Sequence, residues 1–321
     1  MSTRPAWPDL GLCRRSRHTR LFVIRIIRSF VGGFLMGTAD LVPGVSGGTI
    51  ALVLGIYERL VNSIREGSSA LGSLLRGDVT SFKVHLREVE WAFLLPLIAG
   101  ILTAVVALAS LLDQQLEERP TILAGLFFGL VVGSVIIAWG LLKVPMPYHY
   151  LVGGVVGMIL FVLLGLGEEA VVENPGLLAF LGAGALAICA MILPGISGSL
   201  ILLLIGMYPS VLNAVDGRDL VVVGVFTLGT IVGLGFFSQV LHWALRRHHD
   251  VILAALVGLM AGSLRVLWPW PDGVESSGLD RPGRDWLAVL LAGVVGLGVV
   301  FVVSRLSEPK DAEISEPQPA G

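Results

Sequence analysis

Along the chain, long apolar stretches alternate with short polar breaks. Six of the stretches are near the length of about 20 residues that a helix needs to cross a bilayer. They are 91–112, 121–142, 149–166, 219–243, 251–268 and 286–304. Two further apolar segments, 30–64 and 177–215, carry helix breakers in their middle. Those two say the same thing twice. Pro43-Gly44-Val45-Ser46-Gly47-Gly48-Thr49, with Gly55-Ile56-Tyr57 and Asn62 behind it, recurs without a gap as Pro194-Gly195-Ile196-Ser197-Gly198-Ser199, with Gly206-Met207-Tyr208 and Asn213 behind it. Identical internal spacing marks a repeat. Paired apolar segments interrupted by Gly and Pro are also the sequence pointer to a substrate site in a secondary transporter.

Basic residues set the expected orientation. Arg4, Arg14, Arg15, Arg17, Arg20, Arg25 and Arg28 precede the first motif segment, and Arg59, Arg65, Arg76, Lys83 and Arg87 follow it. Both flanks read as cytoplasmic, so 30–64 is expected to be a re-entrant hairpin broken at Pro43 and Gly44. Three crossings then place 167–176 outside, and the second hairpin, broken at Pro194, enters from the opposite face. Arg246, Arg247, Arg305 and Lys310 fall inside; Arg119, Arg218, Arg281 and Arg284 fall outside, and Arg265 lies within a span.

The expected fold is therefore an all-α polytopic membrane protein with two inverted-topology repeats, each a re-entrant helical hairpin plus three transmembrane helices. Repeat 1 covers 19–168 and repeat 2 covers 169–305, with cytoplasmic tails at 1–18 and 306–321. A second signature supports the inversion. Gly129-Leu130, Gly133-Ser134 and Trp139 match Gly258-Leu259, Gly262-Ser263 and Trp268, which places interfacial tryptophans at opposed ends. The first half is longer, and the amphipathic stretch 65–90 has room for the excess.

Composition excludes whole classes. Of the 321 residues 55% are hydrophobic and only 14% charged, against about 25% charged in soluble domains. A net charge of -2 offers no nucleic-acid footprint. Cys13 and Cys189 have neither metal nor redox spacing, the six histidines lack partners at ligand spacing, and no Walker A loop or dinucleotide fingerprint is present. No metal or cofactor is expected.

The chemistry then rests on the motif. Irregular backbone at membrane depth is tolerated where protein buries it or where it lines a wet cavity. A helix restarting after Pro-Gly presents free N–H groups and partial positive charge. Gly44, Gly47, Gly48, Gly195 and Gly198 would let a ligand approach that backbone, and Ser46, Thr49, Ser197 and Ser199 supply hydroxyls. This set suits an anion such as phosphate or chloride. The bland reading is that these residues only permit a kink and close packing. Asp40, without a counterpart in the second copy, is a candidate proton carrier or a structural carboxylate at the hairpin tip. Glu58 is the second candidate for coupling, although with Arg59 it also reads as an interfacial ion pair. Arg265, near the outer end of its span, either snorkels or grips a lipid phosphate bidentately.

At these residues the chain is similar to the bacterial polyprenyl-phosphate transporter family. The matching stretches run from Gly37-Thr38-Ala39-Asp40 through Thr49, then Gly55 to Glu58, Pro194 to Ser199, Gly206-Met207-Tyr208, and Gly258 through Arg265 to Trp268-Pro269-Trp270. The resemblance implies a flippase of the bacterial plasma membrane that returns undecaprenyl phosphate from the outer to the inner leaflet for cell-wall synthesis. It leaves open whether transport is coupled to protons, coupled to sodium or downhill. Three alternatives remain: a channel or exchanger for a small inorganic anion, an intramembrane lipid-phosphate enzyme, and a scaffold for a membrane complex.

Overall fold

Capping side chains and glycine turns cut the chain where its apolar pattern breaks. The structure, a computed structural model, describes residues 11–42, 45–166, 172, 174–271, 273 and 278–307. Pro43, Gly44, the residues Glu168, Glu169 and Glu173 of the expected outer loop, and most of both expected tails lie outside the described residues. All regular structure among the described residues is helical. The first half runs α1 (Gly11–Asp40), α2 (Gly47–Val53), α3 (Tyr57–Leu75), α4 (Val79–Glu88), α5 (Trp91–Glu118), α6 (Pro120–Trp139) and α7 (Pro147–Leu166). The second runs α8 (Leu177–Ile192), α9 (Gly198–Leu204), α10 (Tyr208–Asp216), α11 (Leu220–Arg247), α12 (His249–Ser263) and α13 (Trp286–Ser307).

Six of the described helices are long and apolar enough to cross a membrane: Phe22–Asp40 within α1, then α5, α6, α7, α11, and Trp286–Arg305 within α13. The chain is an all-helical polytopic membrane protein. The number of candidate spans equals the six expected, but the membership differs. Segment 251–268 was expected to cross as one helix, yet α12 stops at Ser263 and continues as turns through Arg265 and Trp268. Fifteen helical residues rise about 22 Å, short of a hydrocarbon core of roughly 30 Å. Conversely, the limb expected to begin a short hairpin near residue 30 is helical from Gly11, and its Phe22–Asp40 portion qualifies as a span in spite of Arg25 and Arg28.

Matching devices build the two motif regions. Ser46 caps α2 by accepting from Gly48 N at 3.1 Å, and Ser197 caps α9 by accepting from Leu200 N at 3.1 Å. Each short helix then ends on a left-handed glycine, Gly55 at φ +68° and Gly206 at φ +69°. Ile56 N reaches back to Ala51 O and Met207 N to Leu202 O, both at 2.9 Å, the C-terminal closure that such a glycine permits. In the second copy α9 and α10 bend by 114° across this turn. The excess of the first half falls where it was expected: α3 runs 19 residues against 9 in α10, and α4 follows it.

Long helices pair in the same order in both halves, α1 with α5 and α8 with α11, while α6 packs on α13 and α12 on α7. Glycines let the backbones touch. Gly129 meets the Gly293 carbonyl and Gly258 the Gly153 carbonyl, so any side chain there would collide with main chain. Close approach through small residues is the packing that lipid favours.

Candidate functional site

The two breaks meet. Ser46 Oγ donates to Leu193 O at 3.2 Å, and Tyr57 Oη donates to Ile192 O at 3.2 Å. From the other side Gly195 N donates to Thr49 Oγ1 at 2.9 Å. The carbonyls and amide that α8 leaves open at its end are therefore satisfied by side chains of the first copy, which is what membrane-buried irregular backbone requires. Val42, Val45, Ile50, Tyr57, Ile192 and Met260 belong to one hydrophobic core around this junction.

The first copy is closed. Ser46, Thr49 and Tyr57 are 1%, 0% and 2% exposed. A Cβ on Gly47 would stand 2.5 Å from Asp40 Oδ2, and one on Gly48 would stand 2.9 Å from Ile192 O, so protein fills the room in front of both. Asp40 Oδ1 accepts from Gly47 N at 2.6 Å, which binds the end of α1 to the start of α2. Gly195, at φ +83°, is pressed so close to α12 that a Cβ would lie 2.6 Å from Met260 Cα. Gly44 and Pro43 lie outside the described residues.

The second copy is open on one side. Ser199 is exposed and Ser197 half-buried, with their hydroxyls 3.0 Å apart. Gly198 sits 3.1 Å, measured from an added Cβ, from Ala187 O. Ile196 and Leu200 pack with Leu160, Leu164 and Val266, so the start of α9, the end of α7 and the turn after α12 form one cluster. Arg265, adjacent to Val266, lays its guanidinium over the Phe161 ring at 4.8 Å and against Gly165. The segments that carry Ser197, Ser199 and Arg265 thus pack in one cluster, whereas Ser46 and Thr49 are used in joining the halves.

A cavity of about 720 Å³ opens beside the first copy, between the start of α3, the end of α11, the start of α12 and the turn after α6. Glu58 and Arg59 both line it but do not pair with each other. Glu58 Oε1 bonds His249 Nε2 at 3.0 Å, and Arg59 pairs with Glu90 while lying over the Phe93 ring. Elsewhere, Glu66, His85 and Glu88 bring ligand-type atoms within 4.8 Å of one another. Both oxygens of Glu66 are already engaged, by Arg65 at 2.6 Å and by His85 at 2.8 Å.

A family model described as undecaprenyl phosphate translocase-like (VCA0040-like) matches residues 36–282. The chain belongs to this family. A polyprenyl-phosphate transporter of Vibrio cholerae is 40% identical over 266 residues, covering 80% of this chain and 83% of that protein. Another, of Staphylococcus aureus, is 30% identical over 291 residues, covering 86% of this chain and 95% of that one. No solved structure matches.

Sequence reasoning brought the two motifs and Arg265 forward but missed the cavity. Its basic residues, Arg59, Lys143, His242, Arg246 and His249, come from the start of α3, the turn after α6, and the α11–α12 junction. No local spacing joins these three parts of the chain.

Proposed function

We propose that the protein transports polyprenyl phosphate, undecaprenyl phosphate in the first instance, from the outer to the inner leaflet of the bacterial plasma membrane. Its two halves act as inverted repeats with both termini cytoplasmic, and each motif segment serves as a re-entrant hairpin. The relatives' names, the family match, the paired motif geometry and the distribution of basic residues support this reading. One observation carries the assignment of the site: in the second copy Ser199 is exposed and Ser197 half-buried, on a helix start whose Ile196 and Leu200 pack with Val266, the neighbour of Arg265. There the guanidinium and hydroxyls offer charge-assisted hydrogen bonds to a phosphate, with the isoprenoid tail left in lipid. Asp40, bonded to the first helix restart, is the group through which a proton would couple, with Glu58 as the alternative carrier.

The test is movement of labelled undecaprenyl phosphate in proteoliposomes, with chloride flux recorded in parallel. Wild-type protein should move the lipid, and Arg265→Ala or Ser197→Ala should slow it by about tenfold or more, the size of a lost charged hydrogen bond. Lipid movement no faster than in empty liposomes sinks the proposal. Chloride flux alone would support the anion-channel alternative.

A further inference from the structure

We infer that the cavity beside the first copy is a second binding site, for a phosphate monoester, held by Lys143 and Arg246. The inference starts from charge. Five basic side chains and two carboxylates line this space. Both carboxylates are committed, Glu90 to Arg59 and Glu58 to His249. Among the described residues, neither an ion pair nor a hydrogen bond engages the Lys143 ammonium or the Arg246 guanidinium. Two cations without partners, facing one cavity, match the roughly two negative charges of a phosphate monoester.

The backbone that carries the exposed Lys143 is held in place. Asp250 accepts from Lys143 N at 3.2 Å and Val144 N at 2.9 Å, and its Oδ1 also bonds His249 Nδ1 at 2.7 Å. The chain of contacts from Glu58 through His249 to Asp250 therefore ties α3, α12 and the turn after α6 around the opening. Asn62, half-buried on the wall, adds a neutral amide, and the volume of about 720 Å³ lies within the range of about 300–1,000 Å³ typical of small-ligand sites.

This site is separate from the Ser197, Ser199 and Arg265 neighbourhood. It takes its cations from the first half and the α11–α12 junction. In a transporter with opposed halves it is the station at the cytoplasmic end, where the headgroup arrives. That assignment rests on the transport reading; the anion site itself does not. Arg246 also stands in the last turn of α11, where any cation is favoured by the helix dipole. Arg247 shares that turn but does not line the cavity, so it separates the two explanations.

The experiment uses the full-length protein. Inorganic phosphate is titrated into it in detergent, and retention of radiolabelled undecaprenyl phosphate is measured in nanodiscs. Lys143→Gln/Arg246→Gln should weaken at least one of these by about tenfold or more. Arg247→Gln and the charge-keeping Lys143→Arg/Arg246→Lys should stay near wild type. Loss of lipid retention alone assigns the site to the lipid headgroup; loss of inorganic phosphate binding alone assigns it to free phosphate. Unchanged binding of both probes, or an equal loss in Arg247→Gln, overturns the site. If wild-type protein moves no lipid phosphate yet binds inorganic phosphate through this pair, the transport reading falls and the site stands. Wild-type transport with unchanged binding in the double variant is the reverse result.

Discussion

The two copies of one motif have opposite environments. In the first, every hydroxyl faces protein: Ser46 and Tyr57 donate to carbonyls at the end of α8, and Thr49 accepts the Gly195 amide. In the second, Ser199 is exposed, Met191 is 46% exposed and Tyr208 is 37% exposed, against 2% for the equivalent Tyr57. Duplicated residues thus divide the work that a broken membrane helix must do. One copy satisfies the backbone at the junction, while the other keeps its outer side open.

Glycine substitution breaks this comparison hardest. Gly195 and Gly55 both have positive φ, but a Cβ at Gly195 meets Met260 backbone while nothing lies within 4 Å of one at Gly55. Gly195→Ala should cost about 3–5 kcal/mol, from strain and overpacking together, and leave little folded protein. Gly55→Ala carries the left-handed penalty alone, about 1–2 kcal/mol. Thermal unfolding followed by fluorescence-detected size exclusion in detergent measures both. Equal losses would mean that the junction with α12 is not the rigid contact described here.

Next in size is the exchange of hydroxyls. Thr49→Val keeps the shape but leaves the buried Gly195 amide unpaired, at a cost of about 1–3 kcal/mol. Ser199→Ala, on the open side, should change stability by less than about 0.5 kcal/mol while slowing lipid movement. The reverse pattern, a stable Thr49→Val that fails to transport and an inert Ser199→Ala, would exchange the roles of the copies.

Much of this was readable from local chemistry. The apolar stretches locate five of the six candidate spans, and the Pro-Gly breaks mark where the motif helices are interrupted. That Ser46 and Ser197 cap α2 and α9 depends on residues a few positions apart, but their hydroxyls read only as ligand groups. Which copy would be sealed was not readable. Burial of Ser46 and Thr49 is imposed by Ile192, Leu193 and Gly195, far along the chain, and the closing of Gly195 by Met260. The partners of Glu58 and Arg59 were hidden for the same reason: adjacent opposite charges suggest one pair, while the fold supplies His249 and Glu90. The length of α12 was misjudged because apolar composition continues past Ser263 although the helix does not.

The smallest effect separates the two aspartates that follow the two copies. Asp78 caps α4, accepting from the Ser81 hydroxyl at 2.6 Å and from the Ser81 and Thr80 amides at 3.0 and 3.1 Å. Asp219 caps α11 through Val221 and Val222 amides at 3.1 and 3.2 Å. The same device carries different weight. α4 has 10 residues, none of them buried, and a helix that short is marginal alone. α11 has 28 and packs along α8. The Ser81 hydroxyl, then the two amides, hold the Asp78 carboxyl below its ordinary 3.8. A carboxyl depressed in this way stabilises the folded form above its unfolded value and loses that contribution as pH falls through the folded one. The start of α4 should therefore stay capped at neutral pH and fray in acid below the ordinary value. Hydrogen exchange at Thr80 and Ser81, compared with Val221 and Val222, reads this directly. Asp78→Ala should open the first turn of α4 already at neutral pH and remove the acid dependence, whereas Asp219→Ala should leave α11 protected beyond its first turn. If both helices fray alike, α4 is held by its neighbours rather than by its cap, and the extra length of the first half is part of the packed bundle.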